Sequence, residues 1–117
     1  MNGYIQIDLG GKLRSLKFNM YAVELIASRQ INSDSGNLAI FIYAGLCGNA
    51  FAKSAGANPL CEEEFDEILE WAEDMIINSE SEKIKTIMTA YYESRPIQKV
   101  LQQEAEETAK KKTSKKK

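Results

Sequence analysis

Residues 3–18 are GYIQIDLGGKLRSLKF, and this stretch decides the fold class. Ile5, Ile7 and Leu9 alternate with Tyr, Gln and Asp in the period of two that is typical of a strand with one buried face. The pair Gly10-Gly11 interrupts the alternation, and glycine adopts the φ > 0 conformations of a tight turn without steric cost. The stretch therefore predicts a β-hairpin.

The register of this hairpin depends on where its loop is centred. A loop centred on Gly11-Lys12 would pair Ile7 with Leu16 and Ile5 with Phe18, which places apolar residues opposite each other on one face. A hairpin alone is marginally stable in water, so we expect it to pack on helices or to extend another sheet.

Two helical segments follow the hairpin, and the second is the more apolar. Asn19 is a suitable cap for the first segment, which carries an apolar stripe of Ala22, Val23, Leu25 and Ile26. The SDSGN cluster at residues 33–37 predicts a break. The second segment, from Leu38 to about Lys53, is apolar nearly all round, as a central buried helix is. Its small residues recur every four positions, and another backbone is expected to pack closely there, within the domain or across a dimer: Ala44, Gly48 and Ala52.

Two further amphipathic helices are predicted after a break at residues 56–59. The third helix runs from about Glu62 to Asn78, with Glu62 to Glu64 in its first turn, and has an apolar face of Phe65, Ile68, Leu69, Ala72, Met75 and Ile76. The fourth begins with a capping box of Ser79 and Glu82 and has a stripe of Ile84, Ile87, Met88, Tyr91 and Tyr92. Pro96 ends or restarts this helix, and a last amphipathic stretch contains Ile97, Val100, Leu101 and Ala105.

These elements predict an α+β fold that is mostly α-helical, with an N-terminal β-hairpin followed by four to five helices. We expect a single globular domain over residues 1–108 and a flexible lysine-rich tail over residues 109–117.

Charge divides unevenly between body and tail. Residues 1–109 carry 9 of the 15 Lys and Arg against all 17 Asp and Glu, a formal charge of −8, while six of the last eight residues are lysine. Because an acidic body is repelled by phosphate backbones, nucleic-acid binding would depend on the tail alone.

Few residues are suited to catalysis. The chain has no histidine, which removes the commonest general base and the commonest metal ligand. Cys47 lies in an apolar helical segment and Cys61 is the second of two cysteines, too few for a zinc site, so we expect reduced thiols in a cytoplasmic protein. The expectation is a non-enzymatic protein without catalytic, metal or cofactor residues.

Two local strings suggest chemistry but favour a structural interpretation. CEEEFDEILEWAED, at residues 61–74, contains eight acids that could form a carboxylate metal site or an acid/base pair; a solvated helix face is favoured, because nothing marks two of the acids as desolvated. The string LGGK at residues 9–12 lacks the spacing of a phosphate-binding loop and precedes a strand, so a hairpin turn is favoured.

Four aromatic residues are the candidate partner-binding positions. They are Trp71, Tyr91, Tyr92 and Tyr43. Aromatic side chains dominate interface hot spots, although each is more often part of a core or its edge.

The order of elements resembles a known family. The string YIQIDLGGKLRSLKFNMYAVELI, the IFIYAGL motif at residues 40–46 and the acidic helix opening LCEEEF at residues 60–65 resemble phage tail assembly chaperones, especially those of Bacteroides-type phages and prophages. Members more usually have Thr or Ser where Cys61 stands, so this chain lacks the usual helix cap there. The resemblance covers about residues 3–93.

The resemblance implies a transient protein-binding role. Such chaperones bind the tape-measure protein, keep it soluble, help tail-tube subunits assemble around it, and are not retained in the mature virion. It implies action in the cytoplasm of the host bacterium, with tape-measure and tail-tube proteins as partners. The small-residue face of the second helical segment separately leaves a homo-oligomer open.

The lysine tail fits more than one interpretation. Many of these chaperones are made in two lengths by a programmed frameshift, and the lysine codons of residues 110–112 and 115–117 are A-rich runs of the kind on which ribosomes slip. A solubilising tail is an equally good explanation. Two other functions stay open: a small nucleic-acid-associated accessory protein that uses the lysine arm, and a structural phage connector protein.

Overall fold

The computed structural model describes residues 3–29, 33–57 and 60–99. Strands β1 (Tyr4–Leu9) and β2 (Lys12–Lys17) form an antiparallel hairpin, followed by helices α1 (Met20–Ser28), α2 (Asp34–Lys53), α3 (Phe65–Ile77) and α4 (Ser81–Tyr92). A fifth helix, α5, begins at residue 95 and is described as far as residue 99. The predicted α+β, mostly helical class is confirmed. Val100, Leu101, Ala105 and the tail at residues 109–117 lie outside the described residues.

The predicted hairpin register is wrong by two residues. Leu16 pairs with Ile5, and Ile7 pairs with Arg14. The turn is the two-residue pair Gly10-Gly11, with φ values of 63° and 81°, as a tight hairpin turn with two positive φ angles requires. Because the shift is an even number of residues, the buried face is unchanged, and Ile7, Leu9 and Leu16 all belong to the core.

Asn19 caps α1 as predicted and also ties it to α2. Its Oδ1 accepts a hydrogen bond from the backbone N–H of Ala22 at 3.1 Å, and its Nδ2 donates to the carbonyl of Gly48 at 2.9 Å. One side chain therefore fixes both the start of α1 and its contact with the central helix.

The central helix α2 begins one turn earlier than predicted. The Ser33 Oγ accepts a hydrogen bond from the N–H of Gly36 at 3.2 Å, so residues 34–37 are the first turn of the helix and not a break. α2 contacts β2, α1, α3 and α4. Within the described residues it is also the one helix long and apolar enough to cross a membrane; a core helix passes the same test, and 56% of its most apolar window is buried inside the domain.

The start of α3 and the predicted cap of α4 both differ from expectation. Glu62 to Glu64 precede α3, which begins at Phe65 with Glu64 as its N-cap residue, and the Glu63 carboxylate pairs with Arg14. The capping box of Ser79 and Glu82 does not form. Ser79 instead has φ 54° and follows the end of α3. Its N–H donates to the carbonyl of Ile76, and the N–H of Glu80 donates to the carbonyl of Met75. This is a Schellman turn with serine in the position that favours glycine.

Pro96 restarts the chain as a helix. It lies in the first turn of α5, where a missing N–H is harmless. The N–H of Gln98 donates to the carbonyl of Ser94 at 3.0 Å, and the buried Ser94 hydroxyl donates to the carbonyl of Tyr91 at 2.6 Å. These bonds join α4 to α5.

Candidate functional site

The small-residue face of α2 receives the junction of β2 and α1. A Cβ on Gly48 would overlap the backbone carbonyl of Lys17 and would lie 2.9 Å from Asn19 Oδ1. Ala44 is fully buried. Ala52 is instead exposed, because the chain crosses α2 beside Gly48 and not one turn later.

Trp71 covers the hairpin turn. Its indole fills the space beside Gly10, where a Cβ would overlap it, and the Arg14 guanidinium lies 4.5 Å from the centre of its ring. Arg14 is held there by Glu63, with Nε to Oε2 at 3.0 Å, and by the Leu9 carbonyl, to which its Nη1 donates at 3.1 Å. The ring is half-buried, and its contacts join α3 to the hairpin.

Tyr43 lies at a different place, beside α3 and the end of α1. Its ring makes an edge contact with Phe65 at 5.7 Å, and the Arg29 guanidinium lies 5.4 Å from its centre. Burial, together with a hydrogen bond to Cys47, raises the pKa of Tyr43 to about 12. Its hydroxyl therefore stays protonated at neutral pH.

Tyr91 and Tyr92 are the two predicted positions that the structure brings together. Their rings are 5.3 Å apart, and Tyr91 also makes edge contacts with Phe41 at 4.8 Å and Phe18 at 5.8 Å. Burial raises the pKa of Tyr91. Tyr92 is 54% exposed, so within this pair it offers the free aromatic surface.

An apolar groove opens between α2, α3 and α4. We call this cavity of about 310 Å³ the helix groove; its walls are Leu38 and Phe41 of α2, Ile76 of α3, and Ile84 and Met88 of α4, with Asp34 and Asn37 at one end. Ile76 is 42% exposed and its neighbour Ile77 is 75% exposed. Ile76 therefore extends the apolar wall of the groove outward, while Ile77 does not line the groove.

The sequence assigned most of these groove residues to buried stripes. Ile76, Ile84 and Met88 fall on helical apolar positions, and periodicity alone does not distinguish a core position from the wall of a surface groove. The one signal in the sequence was Ile77, an apolar residue beside Ile76 that lies outside the predicted apolar face of the third helix.

Carboxylates lie on the α2 and α3 sides of the groove, and Lys83 and Lys85 flank Ile84 on α4. The acids of α3 form an exposed face beside its apolar stripe: Asp66, Glu67, Glu70, Glu73 and Asp74. Asp34 adds a carboxylate at the groove itself. Within residues 3–29, 33–57 and 60–99, no group of three or more His, Cys, Asp or Glu side chains could hold a metal ion.

Positive charge gathers in a separate pocket. This cavity of about 410 Å³, which we call the cationic pocket, is lined by Lys17, Arg95 and Lys99 over an apolar floor that includes Phe18 and Met20. The molecule therefore has an acidic apolar surface and a basic apolar surface.

Comparison with known protein families, with curated proteins and with solved structures finds no match to this chain.

Proposed function

We propose that this chain is a non-catalytic protein-binding module that acts as a phage tail assembly chaperone. It would bind the tape-measure protein in the bacterial cytoplasm, assist tail-tube assembly, and leave before the virion is complete. The resemblance over residues 3–93 suggests the partner, and the helix groove is the observation that carries the proposal.

The groove suits an amphipathic helix. In the helix-in-groove mode, a partner helix places an apolar stripe between the helices of its receptor. The walls here are aliphatic and aromatic side chains from three helices, and the exposed Ile76 extends that surface outward. Burying such side chains contributes about 25 cal/mol per Å² of apolar area removed from water.

The charges favour one kind of partner helix. Asp34 lies at the groove, and Glu73 and Asp74 are exposed on α3 within a turn of Ile76. Complementary charge steers association and suppresses wrong partners. On the side of the groove formed by α3, the preferred partner helix thus carries Lys or Arg beside its apolar stripe.

Co-expression tests this function. The tape-measure protein of the same phage or prophage, produced alone, should be largely insoluble, and this chain should bring it into the soluble fraction and co-purify with it. A tape-measure protein that stays insoluble and unbound in the presence of the folded chain contradicts the proposal.

The cationic pocket favours a second candidate, nucleic-acid binding. Lys17, Arg95 and Lys99 lie around one cavity, and six lysines follow at residues 110–117. If these cations neutralise about six phosphates, the logarithm of the binding constant falls with the logarithm of salt at a slope near −5. Binding to an apolar stripe would show a much weaker salt dependence.

A further inference from the structure

Strand β2 has an outer edge that no other strand of the described residues pairs with. The N–H of Phe18 donates to the carbonyl of Gly3 at 2.6 Å, so these two residues form a hydrogen-bonded pair of the hairpin. Bonded and non-bonded pairs alternate along an antiparallel ladder. The register therefore directs the backbone N–H and C=O groups of Leu13, Ser15 and Lys17 away from β1.

Helix α2 covers one end of this edge and leaves the rest open. At Lys17 the outward carbonyl lies against Gly48, so strand and helix are in direct contact there. Toward the hairpin turn a cavity of about 460 Å³, which we call the strand groove, lies between residues 12–15 of β2, the last part of α2 and residues 60–63. Because successive strand residues point to opposite faces, a cavity lined by four in a row runs along the strand edge.

The backbone groups in the strand groove match an extended chain. An added strand offers N–H and C=O groups at the spacing of those on Leu13 and Ser15, as in the known mode of strand addition to a sheet edge. Residues 12–15 span about 13 Å and would pair with about four residues. A helix has its backbone groups bonded internally, so a bound helix would leave these edge groups unpaired.

The side chains of the strand groove favour aliphatic and acidic residues in that chain. Leu46 and Ala50 of α2 give the groove an apolar wall, and Leu13 is 61% exposed on the opposite wall. Lys12 and Lys53 also line the groove, and neither belongs to the two ion pairs of the described residues. Two cations therefore remain to pair with carboxylates of a bound segment.

A second copy of this chain is a poor occupant. Antiparallel pairing of two β2 edges centred on Leu13 would place Lys12 opposite Arg14, and pairing centred on Arg14 would place that residue opposite itself. Like charges directly opposite each other are destabilising. Pairing centred on Ser15 would need the outward groups of Lys17, which α2 already covers.

We propose that the strand groove binds an extended segment of a partner protein, rich in aliphatic and acidic side chains, as a third strand on the edge of β2. The backbone of Leu13 and Ser15 holds the segment, and Lys12 and Lys53 pair with its carboxylates. This site goes beyond the proposed function, because the helix groove is lined by the first half of α2 and the strand groove by the second half.

A displayed library of random octapeptides, selected on the full chain, is the probe. We expect the recovered peptides to combine Val or Ile with Asp or Glu. When a synthetic peptide of a recovered sequence is added, the amide NMR signals of Leu13 and Ser15 should shift, and their exchange with solvent should slow. Recovery of no peptide, or of peptides that bind away from residues 12–15, would overturn the proposal.

Two proline variants isolate the backbone contact. Ser15→Pro removes an outward N–H without removing a bond between β1 and β2, and proline is tolerated at strand edges. Gln6→Pro makes the same change directly opposite, on the edge of β1. Ser15→Pro should weaken peptide binding at least about tenfold, and Gln6→Pro should bind as the native chain does. Equal affinities for the two folded variants would contradict strand addition.

A charge variant provides the second comparison if Ser15→Pro does not fold. Lys12→Glu combined with Lys53→Glu should also weaken binding of the acidic peptide at least about tenfold, and unchanged affinity would contradict the proposed pairing. Sedimentation of the native chain tests the other occupant. A dimer in which the Leu13 amide is protected without peptide would overturn the proposal in favour of a second copy.

Discussion

The backbone carbonyl of Lys17 occupies the space where a Cβ on Gly48 would lie. This contact joins the end of β2 to the middle of α2, and it requires the residue at position 48 to have no side chain. It also gives the small-residue pattern of α2 a specific partner, since the approaching backbone belongs to the same domain.

The sign of the change in the free energy of unfolding caused by Gly48→Ala tests that contact. Helix propensity alone would make alanine about 1 kcal/mol more favourable than glycine here. Overpacking against a backbone atom costs about 1–3 kcal/mol, and the Lys17 carbonyl cannot rotate away as a side chain could. We expect a net loss of stability in urea unfolding. The matched control is Ala52→Leu, one turn later on the exposed surface, which should change stability by less than about 0.5 kcal/mol. A stabilised Gly48→Ala variant contradicts the contact.

The pair of Arg14 and Glu63 should show measurable coupling in a double-mutant cycle. Both side chains are mostly shielded, at 15% and 18% exposed, and the guanidinium also donates to the Leu9 carbonyl and lies over Trp71. We expect a coupling energy of about 1–2 kcal/mol between Arg14→Met and Glu63→Gln, larger than the usual value of an exposed pair.

The second ion pair of the described residues is the control for that cycle. Lys83 and Glu80 are 3.4 Å apart on the surface, at 35% and 36% exposed. Their coupling should be below about 0.5 kcal/mol. Equal coupling in the two pairs would show that the shielding of Arg14 has no energetic consequence.

Glycine is expected to stabilise the ends of two helices. Ala55 after α2 and Ser79 after α3 both have φ 54°, a left-handed conformation that costs a residue with a Cβ roughly 1 kcal/mol. Ala55→Gly and Ser79→Gly should each raise the free energy of unfolding by up to about 1 kcal/mol. Ala27→Gly, at an exposed position inside α1, should lower it by about 0.5–1 kcal/mol. Loss of stability at all three positions would contradict the two left-handed helix ends.

Removal of residues 109–117 separates the two candidate functions. Six lysines among the last eight residues repel one another, so deletion should change stability by less than about 0.5 kcal/mol. Partner binding through the helix groove should persist, whereas nucleic-acid binding through the arm should disappear.

The frameshift interpretation of the lysine codons has its own test. Expression of the gene with its downstream sequence should yield a longer product by mass spectrometry, and recoding AAA to AAG should abolish that product.

The sequence predicted the elements better than their junctions. Asn19 was identified as a cap because the residue type and the following apolar stripe are local signals. The hairpin register was not predicted correctly, because apolar pairing favoured Leu16 opposite Ile7. The residue opposite Ile7 is Arg14, whose side chain is held by Glu63, 49 residues away in the sequence. No local pattern reports such a partner.

The candidate site shows the same limit. The aromatic residues were chosen by type, yet Trp71 is packed against the hairpin and Tyr43 against Phe65, contacts made by distant segments. The groove depends on how far apart α3 and α4 lie at Ile76 and Met88, a distance set by tertiary packing. Ser79 was predicted to begin a helix and instead ends one, because serine is compatible with both positions.

Affinity for the tape-measure protein, compared between two matched variants, tests the central claim most directly. Ile76→Gln removes apolar surface from the wall of the helix groove, and Ile77→Gln makes the same change at a more exposed neighbour that does not line it. Titration calorimetry with a soluble tape-measure helix should show at least about tenfold weaker binding for the groove variant, or roughly 1.4 kcal/mol. The Ile77 variant should match the native chain. Equal affinities for folded groove and control variants, or no binding by the native chain, would contradict the account.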